Sequence, residues 1–361
     1  MFIDRMNLNV FISKAAAPVN FITSWEAPSN IALIKYWGKE DVQIPKNPSL
    51  SFTLSSSVTK TSVNFKPSNS ENFDFDFFFD GTLRPDFNPK LLTFFKNIEH
   101  YIPWINGYKL IIKSNNSFPH SSGIASSASA MAALSLCLMD LENYLFPKMS
   151  EAFFYQKASF LARLGSGSAS RSIQGPVTIW GENKTLKNSS NHFAISFGDG
   201  LNKIFNSYQD TILLVDKGAK SVSSSKGHDL MHNNPFAENR FLQASNNLDS
   251  LLPIMKSGDL ESFIKIVELE ALSLHAMMMT SKPYFILMKP NTLEIINKVW
   301  ELRTSQKLPI CFTLDAGANV HLLYPLAYKK DISAFIDQEL KVFCQNGQYI
   351  SDQVGKGAIK F

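Results

Sequence analysis

The amino-acid sequence predicts an α+β fold, and two observations support this prediction. Strand-like and helix-like segments are mixed along the whole chain, whereas a doubly wound sheet would need regular strand–helix repeats. Gly165 and Gly167 lack the third glycine of a dinucleotide-binding fingerprint, and they follow a helix-like segment. The chain has 361 residues, 45% of them hydrophobic, which is enough for two domains or for one large two-lobed domain.

The first half of the chain begins with residues 1–21, which we interpret as an extension of uncertain order. Alternating, β-branched or apolar segments then predict strands, the first of them broken at 27–29. These strands are 21–34, 50–65, 73–79, 108–112, 177–180 and 191–197. Segments rich in helix formers predict helices at 91–100, 128–145 and 151–164.

The second half of the chain begins with an apolar run at 211–215, which we interpret as a buried strand that opens a second lobe. Further strands are predicted at 311–314 and 320–324. The predicted helices of this half are 234–252, 260–279, 283–302 and 332–343.

The segment 73–79 alternates phenylalanine with aspartate and ends at the hairpin signal Asp80-Gly81. Its acidic residues could suggest a metal site. Because side chains alternate between the two faces of a strand, Asp74 and Asp76 would lie together on the solvent face. We therefore predict a solvated strand face at this position.

Composition excludes several classes of protein. The net charge is only +4 and no basic block stands out, so nucleic acid is not an expected partner. Three widely spaced cysteines, Cys137, Cys311 and Cys344, indicate a reducing compartment without a disulfide framework or a zinc site. No apolar run is long enough to span a bilayer, and the N-terminal residues lack the hydrophobic centre of a signal peptide. We expect a cytoplasmic protein that does not bind a membrane.

One segment has the pattern of a phosphate-binding loop. Pro119, Gly123, Ser126 and Ser127 follow the predicted strand 108–112 and precede a long run of helix formers. The first amides of a helix have no internal partner and carry partial positive charge, so such a loop can hold phosphate groups. The same pattern also occurs as a simple capped turn, and the segment alone leaves that alternative open.

Small residues recur in three further segments at predicted strand or helix ends, namely 30–39, 166–171 and 315–319. In the last of these, Asp315 comes directly after a strand and before a glycine turn, although Asp-Ala-Gly is also an ordinary turn sequence. No Walker A or HExxH pattern is present. Glu270 and His275 lie in an apolar helix and are interpreted as core or pocket lining, not as metal ligands.

Four segments carry a resemblance to a known family. They read APSNIALIKYWGK at 27–39, FPHSSGIASS at 118–127, RLGSGSASRS at 163–172 and FTLDAGAN at 312–319. The chain resembles the diphosphomevalonate decarboxylases of the GHMP kinase superfamily from about residue 24 onward. The first and third segments distinguish these decarboxylases from most sister kinases.

The resemblance implies a two-lobed fold with the active site in the cleft between the lobes. Residues 22–205 would form a nucleotide and substrate lobe like domain 2 of ribosomal protein S5, and residues 206–361 would form a ferredoxin-like lobe. It also implies an ATP-dependent carboxy-lyase of the mevalonate pathway, which serves isoprenoid and sterol biosynthesis. Such enzymes phosphorylate the 3-hydroxyl of (R)-5-diphosphomevalonate and then release phosphate and CO2 to give isopentenyl diphosphate. The implied partners are ATP, Mg²⁺ and a second copy of the chain in a homodimer.

The family's functional residues carry over to matching positions of this sequence. The catalytic residues would be Asp315, Arg171, Lys35 and Asn30. The substrate-binding residues would be Tyr36, Lys39, Ser166, Gly167, Ser168, Ser224 and Ala316. The nucleotide-binding residues would be Pro119, Ser121, Ser122, Gly123, Ile124, Ala125, Ser126 and Ser127. No protein cage for a metal is implied, because the ATP phosphates would carry Mg²⁺, with the Ser127 hydroxyl as a further ligand.

The chemistry of the implied reaction suits these residue types. A tertiary hydroxyl is a crowded, poor nucleophile, so a carboxylate such as Asp315 must orient and deprotonate it. The substrate carboxylate needs a planar, permanently charged partner, which Arg171 provides. Lys35 would neutralise phosphoryl charge, and Asn30 would help to hold the substrate.

Two alternatives and one departure accompany this interpretation. A related kinase could phosphorylate the 3-hydroxyl of mevalonate or of a phosphomevalonate without decarboxylation. A silent homologue could bind nucleotide or isoprenoid phosphates as a sensor. The departure is Ser225, where many bacterial relatives carry arginine; Lys220 or Lys226 could supply the charge, but a lysine cannot reproduce a bidentate fork.

Overall fold

The computed structural model describes residues 7–70, 72–119, 124–218 and 224–361, except for the side chains of residues 224 and 225. Its elements mix strands and helices throughout, as the sequence predicts. The strands are β1 Phe21–Ile34, β2 Lys39–Glu40, β3 Ile44–Pro45, β4 Ser49–Pro67, β5 Asp74–Phe79, β6 Thr82–Leu83, β7 Tyr108–Asn116, β8 Val177–Trp180, β9 Ala194–Ser196, β10 Gln209–Leu213, β11 Cys311–Leu314, β12 Val320–Tyr324, β13 Tyr349–Gln353 and β14 Ile359–Lys360. The α-helices are α1 Asn88–Ile98, α2 Ser126–Leu145, α3 Glu151–Gly165, α4 Ser224–Asp229, α5 Ala237–Ser257, α6 Leu260–Met279, α7 Pro290–Gln306 and α8 Lys329–Phe335.

Within the described residues, the larger sheet contains eight strands in the order β14-β1-β4-β7-β5-β6, with β8 and β9 attached beside β4. The predicted break at 27–29 is wrong, because β1 is one continuous strand whose register against β4 shifts between Pro28 and Asn30. The irregularity lies in β4, where the backbone N–H groups of residues 55–57 leave the ladder. The carboxylate of Asp352 accepts all three at 2.7 to 3.0 Å, so no partner is lost.

The predicted solvated face of β5 is confirmed. Asp74 and Asp76 are partly exposed and lie 3.4 and 3.2 Å from the ammonium of Lys109 on the parallel neighbour β7. Phe77 on the opposite face is buried in the core. The hairpin predicted at Asp80-Gly81 connects β5 to β6.

Helices α1, α2 and α3 cover one face of the larger sheet, and their apolar side chains form one core with the inner residues of β1, β4 and β7. The N-terminal extension contributes to this core from residue 7 onward. Phe11 is fully buried and stacks on Phe160 at 4.4 Å, and the Val19 N–H donates to the Tyr108 hydroxyl at 3.0 Å. Residues 1–6 lie outside the described part of the chain.

The smaller sheet contains four antiparallel strands in the order β11-β12-β10-β13. Helices α5 and α6 pack between this sheet and the larger one. A shared cluster joins Phe52 of β4 to Tyr208, Ile212 and Phe263, so the two sheets bury one continuous apolar layer. This layer places the ends of β1 and β11 side by side, and the candidate site lies there.

Two predicted helices differ from the structure. The helix predicted from residue 283 begins at Pro290, because a proline in the first turn needs no N–H partner and Thr292 Oγ1 accepts the Lys289 N–H at 3.1 Å. The final helix predicted at 332–343 is α-helical only to Phe335 and continues as π and 3-10 turns to Phe343. The three cysteines are unpaired and buried. No described helix combines the length and the apolar character needed to cross a bilayer.

Candidate active site

Lys35 occupies the point where β1 ends against the smaller sheet. Its side chain is 1% exposed, and its backbone N–H donates to Glu270 Oε2 at 2.9 Å. The ammonium donates to the Ala32 carbonyl at 2.5 Å and lies 4.0 Å from Asp315 Oδ1. Burial lowers the pKa of Lys35 to about 8, although Asp315 and Glu270 raise it in opposition. The ammonium is therefore charged at neutral pH but easily deprotonated.

Asp315 follows β11 directly, as predicted. Its backbone carbonyl accepts from Gly317 N–H at 2.7 Å and lies 3.1 Å from His275 Nε2. These contacts fix the main chain, while the carboxylate remains one third exposed beside Lys35. The structure thus joins the predicted segments 30–39 and 315–319 in one cleft.

Arg171 lies in a 3-10 turn, Gly167–Ser172, that follows α3. Its guanidinium is 2% exposed, donates to Ser49 Oγ and lies 5.8 Å from the ring centroid of Trp180. Burial lowers its pKa to about 10, and Asp315 and Tyr36 raise it in opposition. The buried Nε has no hydrogen-bond partner among the described residues. A buried donor of this kind is costly to leave unsatisfied, so the site suits an anionic ligand.

Asn30 is buried in β1, and its amide faces the turn that carries Arg171. Nδ2 donates to the Ser168 carbonyl at 3.1 Å and to Ser172 Oγ at 2.7 Å. These donors are directed at the protein, so the observed contacts position the Arg171 turn.

Tyr36 and Gly167 are in close contact. The Tyr36 ring meets Trp180 edge-on at 4.7 Å, and its hydroxyl lies 3.3 Å from Gln43 Oε1. A Cβ on Gly167 would lie only 2.9 Å from the Tyr36 hydroxyl and 2.8 Å from Trp180, so only glycine fits. Burial raises the pKa of Tyr36, which therefore keeps its proton as a neutral donor.

The predicted substrate-binding residues lie around the same cleft where they are described. Lys39 begins β2 and is partly exposed, as are Ser166 and Ser168, whereas Ala316 is buried beside Asp315. Ser224 begins α4, and its side chain lies outside the described part of the chain. Lys226 is an exposed residue of α4, and Lys220 lies outside the description.

The predicted nucleotide loop meets this cleft at the N-terminus of α2. Ala125 adopts a left-handed conformation (φ 41°) at the N-cap and supplies no side-chain cap to the first-turn amides. Ser29 Oγ donates to the Ile124 carbonyl at 2.8 Å, and the hydroxyls of Ser127 and Ser166 lie 3.4 Å apart. Pro119 is described, whereas the predicted contacts at residues 121–123 lie outside the described part of the chain.

A cavity opens beside this helix N-terminus. Its wall is mostly apolar, and its polar lining includes Ser126 and Ser127 of the helix N-terminus. The apolar lining consists of Phe77, Phe79, Phe87, Leu91, Ile112, Ala130, Met131 and Leu134. A flat heterocycle fits such a wall when its phosphates reach the helix amides.

Comparison with known proteins agrees with this geometry. Residues 27–192 match the family described as the diphosphomevalonate decarboxylase-like N-terminal domain. Residues 211–358 match the mevalonate 5-diphosphate decarboxylase C-terminal domain. The chain belongs to the diphosphomevalonate decarboxylase family.

The decarboxylase of Candida albicans is 28% identical over 331 residues, which is 88% of each chain. That of Schizosaccharomyces pombe is 27% identical over 353 residues, covering 92% of this chain and 85% of the relative.

Solved structures of the family have the same fold. The mevalonate diphosphate decarboxylase from Staphylococcus aureus is 28% identical, with a TM-score of 0.80 over 94% of this chain and 98% of its own. The enzyme from Legionella pneumophila is 28% identical, with a TM-score of 0.77 over 91% and 100%. A complex of the protein named MDDEF with MVAPP, AMPPCP and magnesium is 28% identical, with a TM-score of 0.80 over 95% and 99%. The predicted two-lobed α+β fold of the GHMP kinase superfamily is confirmed.

The sequence assigned no function to two residues of the decarboxylase cleft, Glu270 and His228. Glu270 is fully buried, which agrees with its interpretation as core or pocket lining. It forms an ion pair with Arg240 and accepts a hydrogen bond from Asn247 Nδ2 at 2.6 Å. The buried His228 accepts the Gly38 N–H at 2.9 Å. A helix with a charged residue between apolar neighbours is the signal for Glu270. No local pattern points to His228.

Within the described ranges, no cluster of three or more His, Cys, Asp or Glu side chains could hold a metal ion. The hydroxyl oxygens of Ser126 and Ser127 at the helix N-terminus fit a hard cation that arrives with phosphate groups.

Proposed function

We propose that this protein converts (R)-5-diphosphomevalonate and ATP to isopentenyl diphosphate, ADP, phosphate and CO2. The observation that carries the proposal is the meeting of Asp315, Lys35 and Arg171 in one cleft. They supply a partly exposed carboxylate, a buried ammonium and a guanidinium whose Nε has no partner among the described residues. The α2 N-terminus borders the same cleft through Ser127 and Ser166, so a phosphoryl donor can reach it.

Asp315 would act on the 3-hydroxyl. Its carboxylate is exposed enough to receive the substrate, and its main chain is fixed by the hydrogen bond from Gly317. It would take the hydroxyl proton as the oxygen attacks the γ-phosphorus of ATP, and ADP would leave with the electron pair of the broken bond. Lys35, 4.0 Å away, would balance the negative charge that the transferring group brings.

Arg171 would hold the substrate carboxylate during the second stage. The C3–O bond breaks and phosphate leaves with the bonding electrons, while the C1–C2 bonding pair becomes the C2–C3 double bond and CO2 departs. A buried guanidinium keeps its charge throughout, and its fork fixes the plane of the carboxylate. Its Nε supplies a donor that no described residue satisfies.

ATP would be held by the segment Pro119–Ser127, with the purine against the apolar wall beside α2. Mg²⁺ bound to the phosphates would neutralise developing charge, and the Ser127 hydroxyl is the protein ligand we propose for it. The diphosphate end of the substrate would lie against Tyr36, Lys39, Ser166, Gly167, Ser168, Ser224 and Ala316.

We further propose that the protein acts in the cytoplasm as a homodimer. Three buried, unpaired cysteines are compatible with a reducing compartment. The family resemblance supports the dimer. Light scattering during size-exclusion chromatography would measure the particle mass, and a mass of one chain at micromolar concentration would contradict the dimer.

The function is tested by product stoichiometry. The substrate is 5-diphosphomevalonate labelled at C1, and released CO2 and ADP are counted in the same reaction. Equal amounts of CO2 and ADP are expected. ADP without CO2 would make the protein a 3-kinase and would leave Arg171 as a binding group only. Neither product would contradict the proposal and would favour another mevalonate ester or a silent homologue.

A further inference from the structure

His228 is a buried histidine in the cleft to which the proposed chemistry gives no role. It lies in α4 and is 8% exposed. Its ring is 4.2 Å from the Tyr36 ring and 4.6 Å from the Trp37 ring, measured between centroids. A Cβ on the preceding Gly227 would lie 2.5 Å from Trp37, so α4 approaches this segment as closely as glycine permits. The imidazole is thus held in one orientation.

The contacts of the ring determine its tautomer. The backbone N–H of Gly38 donates to His228 Nδ1 at 2.9 Å, so Nδ1 carries a lone pair. In a neutral imidazole the proton must then be on Nε2. Within the part of the chain that the structure describes, Nε2–H has no acceptor.

The charges around the ring keep it neutral. Burial lowers the pKa of His228 to about 3; the charges of Lys39 and Arg171 lower it further, and Asp315 opposes them. The ring is therefore a neutral N–H donor near neutral pH. Lys39 and Arg171 place positive charge near the ring, and an N–H donor without an acceptor among the described residues favours an anionic oxygen as its partner.

We propose that His228 binds the diphosphate end of the substrate through Nε2–H, while Nδ1 fixes Gly38 and with it Tyr36 and Lys39. This inference rests on the proposed function, because it takes the diphosphate as the anion. In this way α4 contacts the substrate directly, although the chain has Ser225 where many bacterial relatives carry arginine. Because the pKa of His228 is lowered to about 3, this contact should not titrate near neutral pH, unlike a contact through an ordinary histidine.

Two substitutions distinguish the roles of the two ring nitrogens. In His228→Asn the side-chain oxygen can replace Nδ1 as acceptor for Gly38, but no group reaches the position of Nε2. In His228→Gln the amide nitrogen reaches that position as a donor. His232→Gln changes an exposed histidine of the neighbouring turn and serves as the matched control.

The first measurement is calorimetric binding of inorganic pyrophosphate without Mg²⁺, combined with KM for each substrate. His228→Asn is expected to weaken pyrophosphate binding and to raise KM for diphosphomevalonate by about ten- to a hundredfold, with KM for ATP unchanged. His228→Gln is expected to recover most of this loss. Wild-type binding by His228→Asn, or an equal loss for ATP, would overturn the inference.

A second measurement does not depend on a variant that folds. Nitrogen NMR of the wild-type protein labelled at histidine should show His228 as the neutral Nε2–H tautomer from about pH 5 to about pH 8. Pyrophosphate should shift the Nε2–H resonance. An imidazolium at about pH 6, or the Nδ1–H tautomer, would overturn the inference.

The two proposals fail in distinguishable ways. If wild-type protein releases CO2 and ADP while His228→Asn keeps its KM, only the role of His228 is wrong. If wild-type protein forms neither product and binds no pyrophosphate, the proposed function fails and the inference fails with it.

Discussion

Lys35 should lose its proton within the pH range in which the protein is assayed. Burial lowers its pKa from the usual 10.5 to about 8, against the opposing charges of Asp315 and Glu270. This difference corresponds to roughly 3 kcal/mol of preference for the neutral form. At pH 7 about nine in ten molecules would carry the ammonium, and at pH 9 about one in ten.

A rise in pH should affect activity and stability in opposite directions. The charged form balances phosphoryl charge, so kcat/KM should fall as pH rises through about 8. In the unfolded chain the same lysine keeps its proton up to about 10.5, so the unfolded state binds more protons between these values. The contribution of Lys35 to the free energy of unfolding therefore rises with pH over this window. Comparison with Lys35→Met isolates this contribution in thermal unfolding.

The assay is ADP release over the range from about pH 6.5 to about pH 10, with each substrate varied. The profile of kcat/KM reports the free enzyme, so its basic limb should have a midpoint near 8. The profile of kcat reports the complex, where bound phosphates should raise the pKa of Lys35 and move the limb to higher pH.

Glu270→Gln provides the mechanistic check. Removing this buried charge takes away one cause that raises the pKa of Lys35, so the limb should move to lower pH. Glu301→Gln, on the exposed face of α7, should leave the limb in place. A flat kcat/KM profile up to about pH 10, or an unmoved limb in a folded Glu270→Gln protein, would refute the assignment to Lys35.

Three further substitutions test the cleft. Asp315→Asn should lower turnover by about a thousandfold or more with ATP binding intact, because an amide cannot accept the proton; a mild loss would contradict the assignment. Arg171→Lys should reduce turnover more than ATP affinity, since an ammonium lacks the fork, and wild-type kinetics would exclude Arg171 as the carboxylate clamp. Gly167→Ala places a methyl group 2.8 Å from Trp180 and 2.9 Å from the Tyr36 hydroxyl. The melting temperature measured by calorimetry should therefore fall by about 2–10 °C, and KM for diphosphomevalonate should rise. An unchanged melting temperature would show that the contact is relieved without cost.

Local periodicity predicted several elements well. The helix Leu260–Met279 and the strands Cys311–Leu314 and Val320–Tyr324 agree residue for residue with the sequence-based prediction. Prediction failed where distant partners decide the conformation. The strand Tyr349–Gln353 was missed because it pairs with β10, which lies far away in the sequence. The strand Ile359–Lys360 was missed because it pairs with β1, and this partner is more than three hundred positions away along the chain. Short strands of this kind form only when a neighbour supplies the ladder.

The sequence by itself determined the chemistry available to the protein. Four segments specify the carboxylate, the guanidinium, the ammonium and the serine-rich helix N-terminus, because these functions depend on residue type and local spacing. Only the tertiary structure decided how these groups behave. The lowered pKa of Lys35 and the tautomer of His228 arise from burial and from neighbours far away in the chain. Burial also leaves the Nε of Arg171 without a partner among the described residues. Protonation and hydrogen-bond satisfaction depend on the local dielectric and on distances of a few ångströms, which are set by packing.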